Sequence, residues 1–181
     1  MDKQLCGIDE AGRGPIAGSL VIAGVVLTSM VDGLMDSKKL TEKKREALYP
    51  LILENSKYHI VSFNADEVDR VGISKCISKG LEDIKNNLIG YDYLFDGNSS
   101  FGVSGISTMV KADTKIAEVS ASSILAKVTH DRQMNEFEKE FPQYGFGKHK
   151  GYGTKAHIEA IREYGRCRVH RESFRIKALG E

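Results

Sequence analysis

Ser19 to Leu27 reads SLVIAGVVL, a nearly continuous apolar run that leaves no room for the polar alternation of a half-exposed strand. Its β-branched residues favour a strand, and a strand apolar on both sides must be covered on both faces. This run therefore points to a sheet buried between two helical layers. The remaining pattern agrees. Leu5 to Ile8 reads as a short strand that ends where Asp9-Glu10 and a glycine-rich turn begin. Tyr58 to Phe63 alternates, with His59, Val61 and Phe63 on one side. Between these strands Thr41 caps a helix carrying Leu48, Leu51 and Ile52, which Pro50 should kink or shorten. Ile73, Cys76, Ile77, Gly80, Leu81, Ile84 and Leu88 recur at three and four residues, the stripe of a helix laid on a core. Tyr93 to Phe95 predicts a strand ending at Asp96-Gly97-Asn98, Ser107 to Lys111 another, and a long helix runs from near Lys115 toward Phe141. Gly97 to Gly105 is a loop, and Thr154 to Tyr164 a last helix with a capping threonine and a terminating Gly165. Early strands followed by alternating helix and strand make an α/β sandwich with a mixed sheet.

At 181 residues the chain fits one ordinary domain. No apolar run approaches the length of a membrane span, and Met1 to Cys6 carries no export signal, so no membrane association and a cytoplasmic location are expected. Three cysteines far apart, Cys6, Cys76 and Cys167, read as reduced thiols. Cys167 and His170 form a C-x-x-H pair, but without a second pair they do not make a zinc site. The overall charge of +1 conceals a division: residues 143 to 177 hold nine Lys or Arg against three acids, a net of +6, which leaves −5 for the rest. A basic segment beside an acidic body suits a polyanion held close to carboxylates.

Those carboxylates are Asp9, Glu10, Asp96 and Asp113. Each stands at or just beyond the end of a predicted strand, so a sheet that places these ends side by side would gather all four. Such a group repels itself without cations, and hard oxygen ligands suit Mg²⁺ or Mn²⁺. Taken singly, Asp96-Gly97-Asn98 is equally a turn and Asp113-Thr114 equally a helix cap. The same ambiguity holds for Ser120, Ser123, Lys127 and Asp131, which have helical spacing: they form either a polar stripe facing the acids or a Lys127–Asp131 pair with small serines for packing. His149 and His170 are assigned to local hydrogen bonding, not to a general-base role.

The ordered motifs Gly7-Ile8-Asp9-Glu10-Ala11-Gly12-Arg13-Gly14-Pro15, Asp36-Ser37-Lys38-Lys39-Leu40, Phe95-Asp96-Gly97-Asn98, Lys111-Ala112-Asp113, Ala121 to Val128 and His149-Lys150-Gly151-Tyr152-Gly153-Thr154 resemble bacterial type 2 ribonuclease H over nearly the whole chain. The resemblance implies a ribonuclease H-like fold: a mixed five-stranded sheet flanked by helices, with a short helical C-terminal segment. Residues 1–141 would be the catalytic core, and 142–181 a basic segment packed on it that helps bind substrate. It also implies a two-metal endonuclease that cuts the RNA strand of RNA/DNA hybrids and 5′ to single ribonucleotides in duplex DNA, leaving 5′-phosphate and 3′-hydroxyl ends. Its catalytic residues and metal ligands would be Asp9, Glu10, Asp96 and Asp113, holding two Mg²⁺ or Mn²⁺ ions. Three positions depart from the usual pattern: Ala112 where glycine is common, His130 for a frequent arginine, and Glu172 in a usually more basic segment.

Only the 2′-hydroxyl separates the two sugars, so discrimination requires groups close to it. Gly12-Arg13-Gly14 permits close backbone approach, and the resemblance assigns this turn to the ribose hydroxyl. It likewise assigns Tyr152 to stacking on the sugar that follows the ribonucleotide. Ser37, Lys38, Lys39, Lys148 and Lys150 would hold phosphates without reading sequence. The alternatives are a type 3 ribonuclease H acting on longer hybrids, which usually has an added N-terminal domain where only eight residues precede Asp9 here, and a non-catalytic nucleic-acid-binding module. A monomer is the simplest expected state.

Overall fold

The computed structural model describes residues 4–34 and 40–181. Its sheet has five strands: β1 (Leu5–Ala11), β2 (Leu20–Leu27), β3 (Ser56–Phe63), β4 (Asp92–Asp96) and β5 (Ile106–Met109). They lie in the order β3-β2-β1-β4-β5. The β1/β2 and β2/β3 pairs are antiparallel, whereas β1/β4 and β4/β5 are parallel, so the sheet is mixed as expected. The helices are α1 (Glu42–Glu54), α2 (Ala65–Val71), α3 (Ile73–Asn87), α4 (Ala117–Glu140), the single turn α5 (Phe146–His149) and α6 (Lys155–Tyr164). No helix among the described residues is long and apolar enough to cross a membrane.

The apolar run of β2 is covered on both faces. Leu20, Ile22 and Val26 join Cys6, Ile8, Phe95 and the α3 stripe of Ile77, Leu81 and Ile84 in one core layer. Val21, Ala23 and Val25 alternate into the other, against Ile52 of α1 and Ala121, Ile124, Leu125 and Val128 of α4. Helix α4 lies so close to β1 that a Cβ placed on Gly7 would stand 2.3 Å from the backbone of Glu118 and Val119. Only glycine allows this approach. A third cluster, outside the sandwich, joins Ala17 and Met134 to Tyr144, Phe146, Ile161, Val169 and Ile176 of the basic C-terminal segment.

Several boundaries differ from expectation. Strand β1 continues through Asp9 and Glu10 to Ala11, because its ladder with β2 extends to the Ala11–Val21 pair. Helix α1 continues past Pro50 to Glu54, and Leu51 is exposed while Leu48 and Ile52 are buried. Thr41 does cap that helix, accepting the Lys44 N–H at 3.3 Å. Helix α2 is absent from the sequence reading, although its signal is local: Asn64 and Glu67 form a reciprocal capping box at 2.8 and 2.9 Å.

Candidate active site

Strands β1 and β4 run parallel with Ile8 opposite Phe95, so Asp9 and Asp96 follow as neighbours at their C-terminal ends. Because Asp9 and Glu10 lie within a strand, their side chains depart on opposite faces. Asp9 goes toward α4 and meets Ser123. Glu10 goes to the α3 side and faces Arg13, with Oε1 3.7 Å from Nη1. Asp96 is held from below: Oδ1 accepts the Lys111 N–H at 2.9 Å and Oδ2 the Asp113 N–H at 3.3 Å. Lys111 has φ 60, a left-handed conformation unusual for a residue with a side chain, and it turns the chain back so that Asp113 sits beside Asp96.

The electrostatics is that of mutually repelling acids. Burial, then the Glu10 charge, push the Asp9 carboxyl well above its usual range, and Asp96 adds to the effect. Glu10 is also raised, chiefly by burial, with Arg13 opposing. Glu10 Oε2 is buried and without a hydrogen-bond partner. A carboxylate oxygen left unpaired in this way is costly unless a cation meets it, and that orphan fits a hard divalent ion. As the side chains stand, no three acids, histidines or cysteines among the described residues are drawn into a closed metal cage. Glu10 is turned to Arg13, and Asp96 to two backbone N–H groups.

Beside the acids is the Gly12-Arg13-Gly14 turn. Gly12 has φ 85, and a Cβ there would meet Ser19 O at 2.2 Å and His130 Cδ2 at 2.7 Å, so the turn requires glycine at that position. Arg13 is exposed, its guanidinium 5.5 Å from the Phe101 ring centroid. A Cβ on Gly14 would lie 3.6 Å from Tyr152 Cε1, which brings together two motifs that are remote in sequence. Tyr152 is 48% exposed and available to stack.

Residues 6–177 match the family model for Ribonuclease HII. The chain belongs to the ribonuclease HII family. Ribonuclease HII of Sulfurovum sp. (strain NBC37-1) is 69% identical over 179 residues, covering 99% of this chain and 95% of that protein. Ribonuclease HII of Aliarcobacter butzleri (strain RM4018) is 56% identical over 181 residues, covering 99% and 94%. The structure of the PCNA:RNase HII complex from Archaeoglobus fulgidus aligns with a TM-score of 0.82 at 24% identity and covers 96% of each chain, a likeness of fold. Membership makes the chain a ribonuclease H, a hydrolase.

The other expected residues lie in varied settings. Ser37, Lys38 and Lys39 are outside the described residues. Lys148 is exposed within the turn α5. The Lys150 ammonium is largely occupied, donating to Asn135 Oδ1 at 2.7 Å with Glu42 at 3.4 Å. On α4 the polar stripe divides. Ser123 faces Asp9, Ser120 donates to Leu34 O at 2.5 Å, and Lys127 pairs with Asp131 at 2.7 Å. Burial alone would raise the Asp131 carboxyl, but His130 and Lys127 outweigh it and hold it below its usual value. His130 lies buried under Gly12. Glu172 donates its backbone N–H to Asp69 Oδ2 at 2.7 Å, and Ser173 follows at 3.0 Å.

Sequence reasoning missed Arg171, which it counted only as basic charge. Arg171 is 0% exposed and donates to Gly12 O at 2.6 Å, Pro15 O at 2.8 Å, Gly18 O at 3.0 Å and Arg13 O at 3.4 Å. Its neighbours, Val169-His170-Arg171-Glu172-Ser173-Phe174, are mostly polar and carry no local signal of burial.

Proposed function

We propose that the chain is an endonuclease that hydrolyses the RNA strand of RNA/DNA hybrids and cuts 5′ to single ribonucleotides in duplex DNA. The observation that carries this reading is the adjacency of Asp9, Glu10 and Asp96 to the Gly12–Gly14 turn and Tyr152. Hydrolysing acids and a backbone surface narrow enough to test a ribose hydroxyl then act on one sugar-phosphate unit.

Asp9, Glu10, Asp96 and Asp113 would hold two divalent ions, Mg²⁺ or Mn²⁺; the orphaned Glu10 Oε2 supports that assignment. Bound there, such ions supply Lewis-acid stabilisation of charge at phosphorus and a water nucleophile at neutral pH. The chain's own work is positional. Ser123 orients Asp9, and the Lys111 and Asp113 N–H groups orient Asp96. Arg13, now 3.7 Å from Glu10, would be free to bond a phosphate were Glu10 engaged with an ion. Tyr152 packs on the sugar beyond the ribonucleotide, and the exposed lysines and arginines of residues 142–181 hold the flanking backbone.

The test is cleavage of a labelled DNA duplex containing one ribonucleotide, beside an RNA/DNA hybrid, all-DNA and all-RNA duplexes, with Mg²⁺, Mn²⁺ or chelator. Metal-dependent cutting 5′ to the ribonucleotide is expected, with Asp9→Asn and Asp113→Asn folded but lowered by at least about a thousandfold. Wild-type-like cleavage by either variant would overturn the ligand assignment. Cutting of the hybrid alone would support the longer-hybrid alternative, and binding without any cutting a non-catalytic module.

A further inference from the structure

The buried guanidinium of Arg171 stands on the side of the Gly12–Gly14 turn opposite the solvent. Its four acceptors are all backbone carbonyls of residues 12 to 18. The chain around it is tied to the same segment: Arg171 N donates to Ile16 O at 2.9 Å and Gly18 N to Val169 O at 2.8 Å. Phe174 closes the other side, with its ring centroid 5.0 Å from the guanidinium carbon. Asp69 lies near enough to favour the charge, which persists at neutral pH because burial lowers the group only to about 10.

Peptide planarity converts this clamp into an orientation on the substrate side. In a trans peptide the C=O of one residue and the N–H of the next point in opposite directions, and the chain has no cis bonds among the described residues. Where the Gly12 carbonyl is drawn inward to Arg171, the Arg13 N–H must face out. Where the Arg13 carbonyl is drawn inward, the Gly14 N–H must face out. Among the described residues neither of these two N–H groups meets an acceptor. The next clamped plane shows the rule at work: Pro15 O turns to Arg171, and the Ile16 N–H points away to Gly151 O at 2.9 Å.

We infer that Arg171 is a positioning residue for ribose recognition, fixing the peptide planes of the Gly12–Gly14 turn so that two consecutive N–H donors face the sugar edge of the bound strand. The inference rests on the ribonucleotide-cutting reading above. Lysine cannot take over this task, since its three donors radiate from one point and do not span four carbonyls as the guanidinium fork does.

Two measurements separate the clamp from the reading it serves. Hydrogen–deuterium exchange of the segment around residues 11–19, without substrate, should accelerate at least about tenfold in Arg171→Lys. Phe174→Leu, which loosens the guanidinium without removing it, provides a milder second variant and should accelerate exchange in the same direction. In kinetics, the preference for a duplex with one ribonucleotide over all-DNA duplex should fall at least about tenfold in Arg171→Lys, the loss expected for one misdirected hydrogen bond, and in the same direction by less in Phe174→Leu. Affinity for all-DNA duplex should stay within about twofold, because phosphate contacts are untouched. Unchanged exchange, or unchanged preference in a variant that is folded by circular dichroism, overturns the inference. A wild-type protein without ribonucleotide preference fails the functional reading first and removes the ribose assignment with it, while the exchange experiment still decides whether Arg171 orders the turn.

Discussion

Lowering the pH from about 7.5 to about 5 should destabilise this protein through two buried histidines, His157 and His170. Both are almost fully buried, with Nε2 atoms 3.0 Å apart. Their hydrogen bonds assign the protons. The Cys167 N–H donates to His170 Nδ1 at 2.9 Å, so the His170 proton is on Nε2 and points to His157 Nε2. His157 then carries its proton on Nδ1 and donates to Tyr152 O at 2.9 Å. The result is a one-way chain through two neutral rings, ending on the carbonyl of the tyrosine proposed to stack on substrate. A third ring, His149, stacks on His157 at 4.1 Å. A further proton on His157 would set two N–H groups against each other.

Burial lowers both imidazoles from 6.5 to about 4, opposed only in part by the Tyr152 carbonyl at His157 and by the Cys167 carbonyl 3.2 Å from His170 Nδ1. The unfolded chain therefore binds more protons than the folded one between about pH 4 and 6.5, and stability rises with pH across that window. It is fully present above the unfolded value and is lost as pH falls toward the folded one. At about pH 5 each ring costs about 2 kcal/mol, so the pair costs about 4, a large share of an ordinary domain's 5–15 kcal/mol. Asp9 and Glu10 shift in the opposite sense, since their raised carboxyls are relieved by acid. The comparison must therefore be with His157→Asn/His170→Asn, which keeps a donor near Tyr152 O and an acceptor near the Cys167 N–H. Urea unfolding across this range should show close to two more protons taken up on unfolding by wild type than by the double variant. Equal pH slopes in the two proteins would refute the assignment, as would imidazole resonances of both rings titrating near 6.5 in the folded state.

Three further outcomes follow from the geometry. Gly7→Ala forces α4 away from β1 by about an ångström and takes Ser123 off Asp9, so kcat should fall by about a hundredfold, against about 1–3 kcal/mol in urea melts. Tyr152→Ala should leave the melting temperature within a few degrees while lowering kcat/KM at an isolated ribonucleotide more than on a long hybrid; equal effects on both substrates would remove its role at the junction. Asn64→Ala removes one half of the α2 capping box and should cost about 1 kcal/mol with unchanged steady-state kinetics, a control for stability loss alone.

What could be read from sequence divides according to the range of the interaction. The two-faced apolar run of β2 and the stripe of α3 declare what they bury, because burial on a given face is written in local periodicity. The alternation rule likewise separates Asp9 from Glu10 once β1 is known to reach Ala11, but that extension depends on β2 offering Val21 across the ladder, a partner the local pattern does not name. Pro50 misleads for a related reason. It predicts a break in isolation, whereas α1 is held to the sheet by Leu48 and Ile52 on either side of it. Arg171 is the extreme case. A charged residue in a segment of net +6 looks like one more surface cation, and nothing within several residues shows that its acceptors are carbonyls more than 150 positions away. Three of those four carbonyls belong to glycines and a proline, residues that carry no polar side chain to announce a partner, and the fourth is the main-chain oxygen of Arg13. A buried arginine satisfied by backbone alone is therefore nearly invisible to side-chain patterning, and it becomes visible only when the turn and the C-terminal segment are brought together in the fold.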